Sequence, residues 1–101
     1  MDIEALLQAA ALPDRGGLTR AGRALAKHGG RPGAAFPPPV GGPTAINQAA
    51  QVIVEDILRD PLHTSVRRHH LRFGDIIEVR ASDRRGVRYD DNGNFIGLLE
   101  P

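Results

Sequence analysis

The sequence predicts an α+β fold in which N-terminal helices are followed by a four-stranded antiparallel meander sheet, with the main helix packed on one face. Two observations predict this order. Apolar residues recur at helical spacing only before residue 60, whereas residues 64–99 form short runs of β-prone residues separated by turn signals. Connections this short join antiparallel neighbours, and a sheet with one apolar face needs a layer of helices to cover it.

Two short helices are predicted at the start of the chain. The first spans residues 2–12, which are rich in helix formers, and Pro13 stops it. We expect residues 1–17 to be a linker or a lead-in helix to the domain that follows. The second helix begins at its N-cap Thr19 and ends at Gly29, which can adopt the left-handed conformation of a helix end. Its basic edge consists of Arg20, Arg23, Lys27 and His28.

A third helix over residues 45–59 has the clearest amphipathic pattern, and we expect Thr44 to cap it and Pro61 to follow its end. Its apolar face is formed by Ile46, Ala49, Ala50, Ile53, Ile57 and Leu58. Residues 29–43, between the second and third helices, hold too many prolines and glycines for regular structure. We expect this segment to be an ordered loop anchored by Phe36.

Four strands are predicted, over residues 64–73, 76–81, 87–90 and 95–99. The Asn92-Gly93 pair before the last strand is a strong hairpin signal, because both residues tolerate positive φ angles. In the first strand, Leu71 and Phe73 are expected to face the core. The opposite face of the sheet is then open and concave, and it carries His70, Arg72, Glu78, Arg80 and Arg88.

Composition limits the chemistry that this chain can perform. It has 101 residues, no cysteine, and a net charge of +1 with 12 arginines against one lysine. The missing cysteines exclude disulfides, thiol catalysis and Cys-ligated zinc. No apolar run approaches the roughly 20 residues that span a bilayer, and Met1-Asp2-Ile3-Glu4 does not resemble a signal peptide. Arginine favours recognition of anions such as phosphates, although a GC-rich genome explains its excess equally well.

No metal ion or other cofactor is expected. His69 and His70 are adjacent on a predicted strand, so their side chains point to opposite faces and cannot chelate one ion together. The glycine-rich residues 29–33 follow no strand and precede no Gly-Lys-Ser/Thr sequence, which excludes a P-loop. Ser65 and Ser82 lie outside any nucleophile elbow.

The arginines and histidines that remain suit RNA cleavage without a metal. RNA supplies its own nucleophile, the 2′-hydroxyl, so the enzyme needs a base, an acid and cations that stabilise the charge on phosphorus. Imidazole can serve as acid or base at neutral pH, and arginine forks match phosphate oxygens. Structural explanations remain open, since sheet arginines often pair with carboxylates such as Glu78, Asp83 and Asp90, and the helix dipole alone explains His28.

Three stretches resemble a known family. They are residues 18–37 (LTRAGRALAKHGGRPGAAFP), residues 72–75 (RFGD) and residues 85–101 (RGVRY through GNFIGLLEP). Together they look like the C-terminal toxin modules of bacterial polymorphic toxins of the contact-dependent inhibition and Rhs types. The resemblance covers residues 18–101, which we therefore expect to be the toxin domain, and the end at Pro101 fits a module that terminates its parent protein. The turn over residues 83–86 (DRRG) departs from the Asp-Gly-Arg-Gly more usual in the family.

The resemblance implies a small ribonuclease of the barnase/EndoU/colicin/RelE-like group. Such domains combine N-terminal helices with a four-stranded antiparallel sheet. Many of them cut transfer RNA in the cytoplasm of a neighbouring bacterium, after delivery as part of a larger toxin, and a cognate immunity protein neutralises them. The residues of the family's basic motif after its first helix correspond to Lys27, His28 and Arg31, and those of its sheet motifs to Arg72 and Arg88.

We therefore predict a metal-independent endoribonuclease toxin that cuts tRNA. The predicted catalytic residues are His28, His70, Arg88, Arg31 and Thr64, with the two histidines as general acid and base in either order. The predicted phosphate-binding residues are Lys27, Arg72, Arg80 and His69, the last because a one-residue register shift would exchange it with its neighbour. The alternative is a non-enzymatic module that uses the same basic sheet face to bind an acidic partner. DNA binding is less consistent with the sequence, because the third helix is not basic.

Overall fold

In the computed structural model, which describes residues 1–101, three helices precede a four-stranded antiparallel sheet. The helices are α1 (Ile3–Ala10), α2 (Arg20–His28) and α3 (Pro43–Leu58), and the strands are β1 (Thr64–His70), β2 (Gly74–Arg80), β3 (Gly86–Asp90) and β4 (Phe95–Leu99). The strand order is β1-β2-β3-β4, and every neighbouring pair is antiparallel. The predicted α+β meander is confirmed.

The helix N-termini follow local capping rules. At the start of α2, the Thr19 hydroxyl accepts a hydrogen bond from the Gly22 amide at 2.9 Å, as predicted. The prediction that Thr44 caps α3 is wrong, since the N-cap is Gly42 and the helix begins at Pro43. Proline is favoured at a first helical position because its φ is already helical and the amide it lacks would have no partner there.

The C-terminal end of α2 differs from the prediction. Gly29 has a φ of −66° and is not left-handed, whereas Gly30 has a φ of 80°. Gly29 is instead a point of close approach, because a Cβ there would lie 2.3 Å from the Pro37 carbonyl oxygen. The absence of a side chain therefore lets the loop after α2 fold back against the helix end.

The core lies between the helices and one face of the sheet. Seventeen buried residues form one cluster to which all three helices contribute, and Phe36 anchors the loop between α2 and α3 in it, as expected. Helix α1 belongs to this cluster through Leu6, Leu7 and Ala10. The Tyr89 hydroxyl of β3 donates to the Leu6 carbonyl at 2.8 Å, which ties α1 to the sheet. The division of the chain at residue 17 stays a prediction.

The first strand corrects one expectation. Leu71 and Phe73 were expected on the core face, but β1 ends at His70 and both lie in the following turn, with Leu71 fully exposed. The reason is that no helix packs against β1, so neither face of this edge strand is covered by the helical layer. In β2, Ile77 packs against the core as predicted, whereas Glu78 on the other face is buried rather than open.

Candidate active site

A cleft of about 580 Å³ separates α2 from the sheet face opposite the core. Residues of α2, the turn after β1, β3 and β4 line it. Its charged and titratable lining consists of Arg20, Arg23, Lys27, His28, His70, Arg72, Arg88 and one carboxylate, Asp14. The cleft is therefore strongly cationic although the chain carries a net charge of only +1.

Side chains that are far apart in the sequence meet in this cleft. Lys27 and His28 come from the last turn of α2, whereas His70 and Arg72 come from the end of β1 and the turn after it. Arg88 lies on β3 between them. Five of the nine predicted site residues thus line one cleft.

The other four predicted site residues do not line the cleft. Arg80 donates to the backbone carbonyls of Arg84 at 2.7 Å and of Glu100 at 3.0 Å, so its guanidinium holds two chain segments together. The His69 ring faces the Asp75 carboxylate at 3.1 Å on the exposed surface. The remaining two, Thr64 at the start of β1 and Arg31 in the loop after α2, are exposed.

Arg20 and Arg23 line the cleft but were not among the predicted site residues. Their signal was present, since the spacing of 20, 23 and 27 places all three side chains on one face of a helix. The helix dipole by itself favours cations at the C-terminal end of this edge, and the sequence did not assign Arg20 and Arg23 to a site. Arg23 is partly engaged, with its guanidinium 3.3 Å from the Asp14 carboxylate.

A buried carboxylate fixes Arg88 on the floor of the cleft. Both Nε and Nη2 of Arg88 donate to Oε2 of Glu78, at 2.9 and 2.6 Å, and Arg68 lies 3.4 Å from Oε1. Glu78 is only 4% exposed, so these bonds form where water competes little. The cross-strand pair was anticipated from the sequence, but its burial was not.

The neighbouring strand β4 leaves the space above Arg88 open. The register partner of Arg88 on β4 is Gly97, which also lines the cleft. A Cβ built on Gly97 would meet no atom within 4 Å. Because direct cross-strand partners lie on the same sheet face, this glycine keeps the approach to the guanidinium clear.

His70 is held by its own turn. Its Nδ1 accepts a hydrogen bond from the Arg72 backbone amide at 3.0 Å, so the neutral ring carries its proton on Nε2. The ring packs against Phe73 with centroids 4.9 Å apart, and the Arg72 guanidinium lies 5.1 Å from the Phe73 centroid. The turn thus orders an imidazole, an arginine and an aromatic ring at one wall of the cleft.

The chain is similar to a known protein family and to a solved structure. Residues 7–100 match the family model described as the CdiA C-terminal tRNase toxin domain. The fold is similar to a solved structure of the toxic C-terminal tip of CdiA from Pseudomonas aeruginosa in complex with immune protein, with 30% identity and a TM-score of 0.77 over 92% of this chain and 99% of that one. No curated protein matches the sequence. None of the helices is long and apolar enough to cross a membrane.

Proposed function

Since the chain belongs to the CdiA C-terminal tRNase toxin domain family, it is an RNA-cutting toxin domain, and we propose that it cleaves tRNA by attack of the 2′-hydroxyl without a metal ion. The observation that carries this proposal is the cleft itself. Two imidazoles and three cationic side chains from distant stretches line it: His28, His70, Lys27, Arg72 and Arg88.

His28 acts as the base in the proposed reaction. Its neutral Nε2 takes the proton of the 2′-hydroxyl while the 2′-oxygen bonds to phosphorus. The bond from phosphorus to the 5′-oxygen then breaks, and that oxygen receives a proton from Nε2 of the doubly protonated His70 ring. The ring is left neutral with its proton on Nδ1, so the Arg72 amide does not donate to Nδ1 during this step. The products are a 2′,3′-cyclic phosphate and a 5′-hydroxyl, so the protons and bonds balance.

The arginines and the lysine supply the electrostatic part of catalysis. Negative charge builds on the non-bridging oxygens as phosphorus becomes five-coordinate, and fixed guanidinium groups stabilise it. Glu78 holds Arg88 in place through Nε and Nη2, which leaves Nη1 to bind a phosphate oxygen. The cationic lining supports metal independence, because it repels a divalent ion and already provides the positive charge that such an ion would bring.

Neutralisation by a cognate immunity protein follows from the same family membership. The similar P. aeruginosa domain is the toxic tip of CdiA and was solved with its immune protein. We propose that this chain is likewise the toxic tip of a larger protein delivered to a target cell, and that an acidic immunity protein neutralises it. A cationic cleft favours an acidic partner, because charge complementarity speeds association and fixes orientation.

Single substitutions of the two histidines test the assignment. With tRNA as substrate and EDTA present, His28→Ala and His70→Ala are each expected to lower the cleavage rate about 10²–10⁴-fold, the range for a lost acid or base. The matched control is His63→Asn, because His63 lies outside the cleft in the connection before β1. It is expected to cleave at the wild-type rate.

The role of His70 as acid has its own test. A substrate with sulfur in place of the 5′-bridging oxygen has a leaving group that needs no protonation, so it should restore cleavage by His70→Ala but not by His28→Ala. Failure of this rescue would contradict the acid role. If the wild-type domain binds tRNA and leaves it uncut in EDTA, the metal-independent mechanism is wrong.

A further inference from the structure

We infer that Glu100 is a positioning residue, whose carboxylate holds the His28 imidazole in the tautomer that leaves Nε2 free to accept the proton of the RNA 2′-hydroxyl. The inference rests on the proposed role of His28 and extends it. Glu100 follows the last strand, 72 positions after the histidine, and no sequence motif links the two residues.

The geometry places two unpaired polar atoms face to face. Nδ1 of His28 lies 3.5 Å from Oε2 of Glu100. Both atoms are buried, and neither has a hydrogen-bond partner. A buried polar atom without a hydrogen-bond partner costs free energy of folding. A proton on Nδ1 lets these two atoms form a hydrogen bond with each other, which removes that cost. A movement of about half an ångström brings this contact into the ordinary hydrogen-bond range.

Both partners are held by their surroundings. The other carboxylate oxygen of Glu100 accepts a hydrogen bond from the Ala35 amide at 2.8 Å, which fixes the side chain from the loop after α2. The Phe36 ring packs edge-on against the imidazole with centroids 6.0 Å apart. The Ala35 amide therefore fixes the carboxylate, and the Phe36 ring packs on one side of the imidazole.

This arrangement determines which nitrogen is basic. A carboxylate accepts hydrogen bonds and cannot donate them when ionised, so the proton of the neutral ring lies on Nδ1. The lone pair of the ring is then on Nε2, which has no hydrogen-bond partner in the protein, on a side chain that lines the cleft. After Nε2 takes the 2′-hydroxyl proton, the carboxylate also stabilises the positive ring. A second group that orients an imidazole through its other nitrogen is a common arrangement in catalysis and in metal sites.

Glu100→Gln reverses the tautomer with almost no change in shape. The amide oxygen can keep the bond to the Ala35 amide, which turns the NH₂ group toward Nδ1 of His28. That NH₂ donates, so Nδ1 must accept and the ring proton moves to Nε2. Nitrogen-15 spectra of the imidazole at a pH of about 8.5, well above the ordinary pKa of histidine, distinguish the two tautomers.

Wild-type His28 is expected to show a protonated Nδ1, and Glu100→Gln a protonated Nε2. The kcat for tRNA cleavage is expected to fall about 10²–10⁴-fold with KM unchanged, the range for a lost base, because a neutral ring with its proton on Nε2 has no lone pair there for the 2′-hydroxyl proton. Glu55→Gln is the control, since its carboxylate pairs with Arg59 outside the cleft and its loss should move neither readout.

The outcomes separate this inference from the proposed function. If Nε2 is protonated in the wild type, or if the tautomer is the same in Glu100→Gln, the positioning role is wrong whatever the activity. If the tautomer reverses and kcat does not fall, Glu100 orients the ring as inferred, but His28 is not the base. If Glu100→Gln does not fold, the wild-type spectrum is the test: a protonated Nδ1 of His28 supports the positioning role, and a protonated Nε2 contradicts it.

Discussion

Replacing Glu78 by leucine should destabilise the fold because it leaves Arg88 without its counter-ion. Removing one member of a buried pair costs about 3–5 kcal/mol. The Arg88 side chain is 22% exposed, so water recovers part of that loss, and Arg68 is far more exposed, at 58%. We therefore expect Glu78→Leu to lower the free energy of unfolding by about 2–3 kcal/mol, which corresponds to a fall in Tm of roughly 10–20 °C for a domain of this size.

The double variant Glu78→Leu with Arg88→Met separates stability from activity. Replacing both members of a buried ion pair by apolar residues of similar volume is often neutral or stabilising, so this variant should unfold within about 1 kcal/mol of the wild type. It should nevertheless cleave tRNA about 10²–10³-fold more slowly than the wild type, the usual effect of losing one charge-stabilising donor. Arg88→Met alone leaves the buried carboxylate of Glu78 facing only Arg68 and should be at least as unstable as Glu78→Leu.

Urea denaturation followed by far-ultraviolet circular dichroism gives the free energies, and tRNA cleavage by the same samples gives the rates. The physical reasoning is refuted if Glu78→Leu is as stable as the wild type. It is equally refuted if the free-energy losses of the two single variants simply add in the double variant, because their interaction would then be negligible.

Three further predictions address the core, the cleft and the turns. Tyr89→Phe should cost about 0.5–1.5 kcal/mol in urea denaturation, because it removes the hydrogen bond from the Tyr89 hydroxyl to the Leu6 carbonyl; an unchanged midpoint would contradict this. Gly97→Leu should unfold at the same urea concentration as the wild type but raise KM for tRNA at least tenfold, since its side chain enters open cleft space; unchanged KM would contradict this. Hydrogen bonds from Ser82 and Leu62 lower the pKa of Asp60 below its ordinary 3.8, so its stabilising effect is present above that pH and is lost as the pH falls through the folded-state pKa. The urea midpoint of Asp60→Asn should therefore change less between pH 6 and pH 3 than that of the wild type, and an equal change would contradict this.

The fold was largely predictable because its elements depend on local sequence. Short turns such as Asn92-Gly93 require antiparallel neighbours, and the amphipathic third helix requires a sheet to pack on. The errors arose where tertiary contacts decide. Leu71 looks like a core residue by alternation, but its burial depends on whether a helix covers β1, and none does. Thr44 is a good cap in isolation, but the helix begins two residues earlier than predicted, at Pro43.

The sequence predicted which groups meet in the cleft better than it predicted how they are held. Of the histidines, arginines, lysine and threonine that the sequence and the family resemblance indicated as site candidates, five line one cleft. What periodicity could not predict is how those groups are held. The burial of Glu78 beneath Arg88, and the approach of Glu100 to His28, join residues whose contact depends on the folded chain.

The chemistry of the cut ends tests the central claim most directly. Purified domain should be incubated with tRNA in excess EDTA, and the fragment termini identified by mass spectrometry and by end-specific enzymatic labelling. Attack by the RNA's own 2′-hydroxyl predicts a 2′,3′-cyclic phosphate on one fragment and a 5′-hydroxyl on the other. Fragments with a 3′-hydroxyl and a 5′-phosphate, or cleavage that EDTA abolishes, would contradict it.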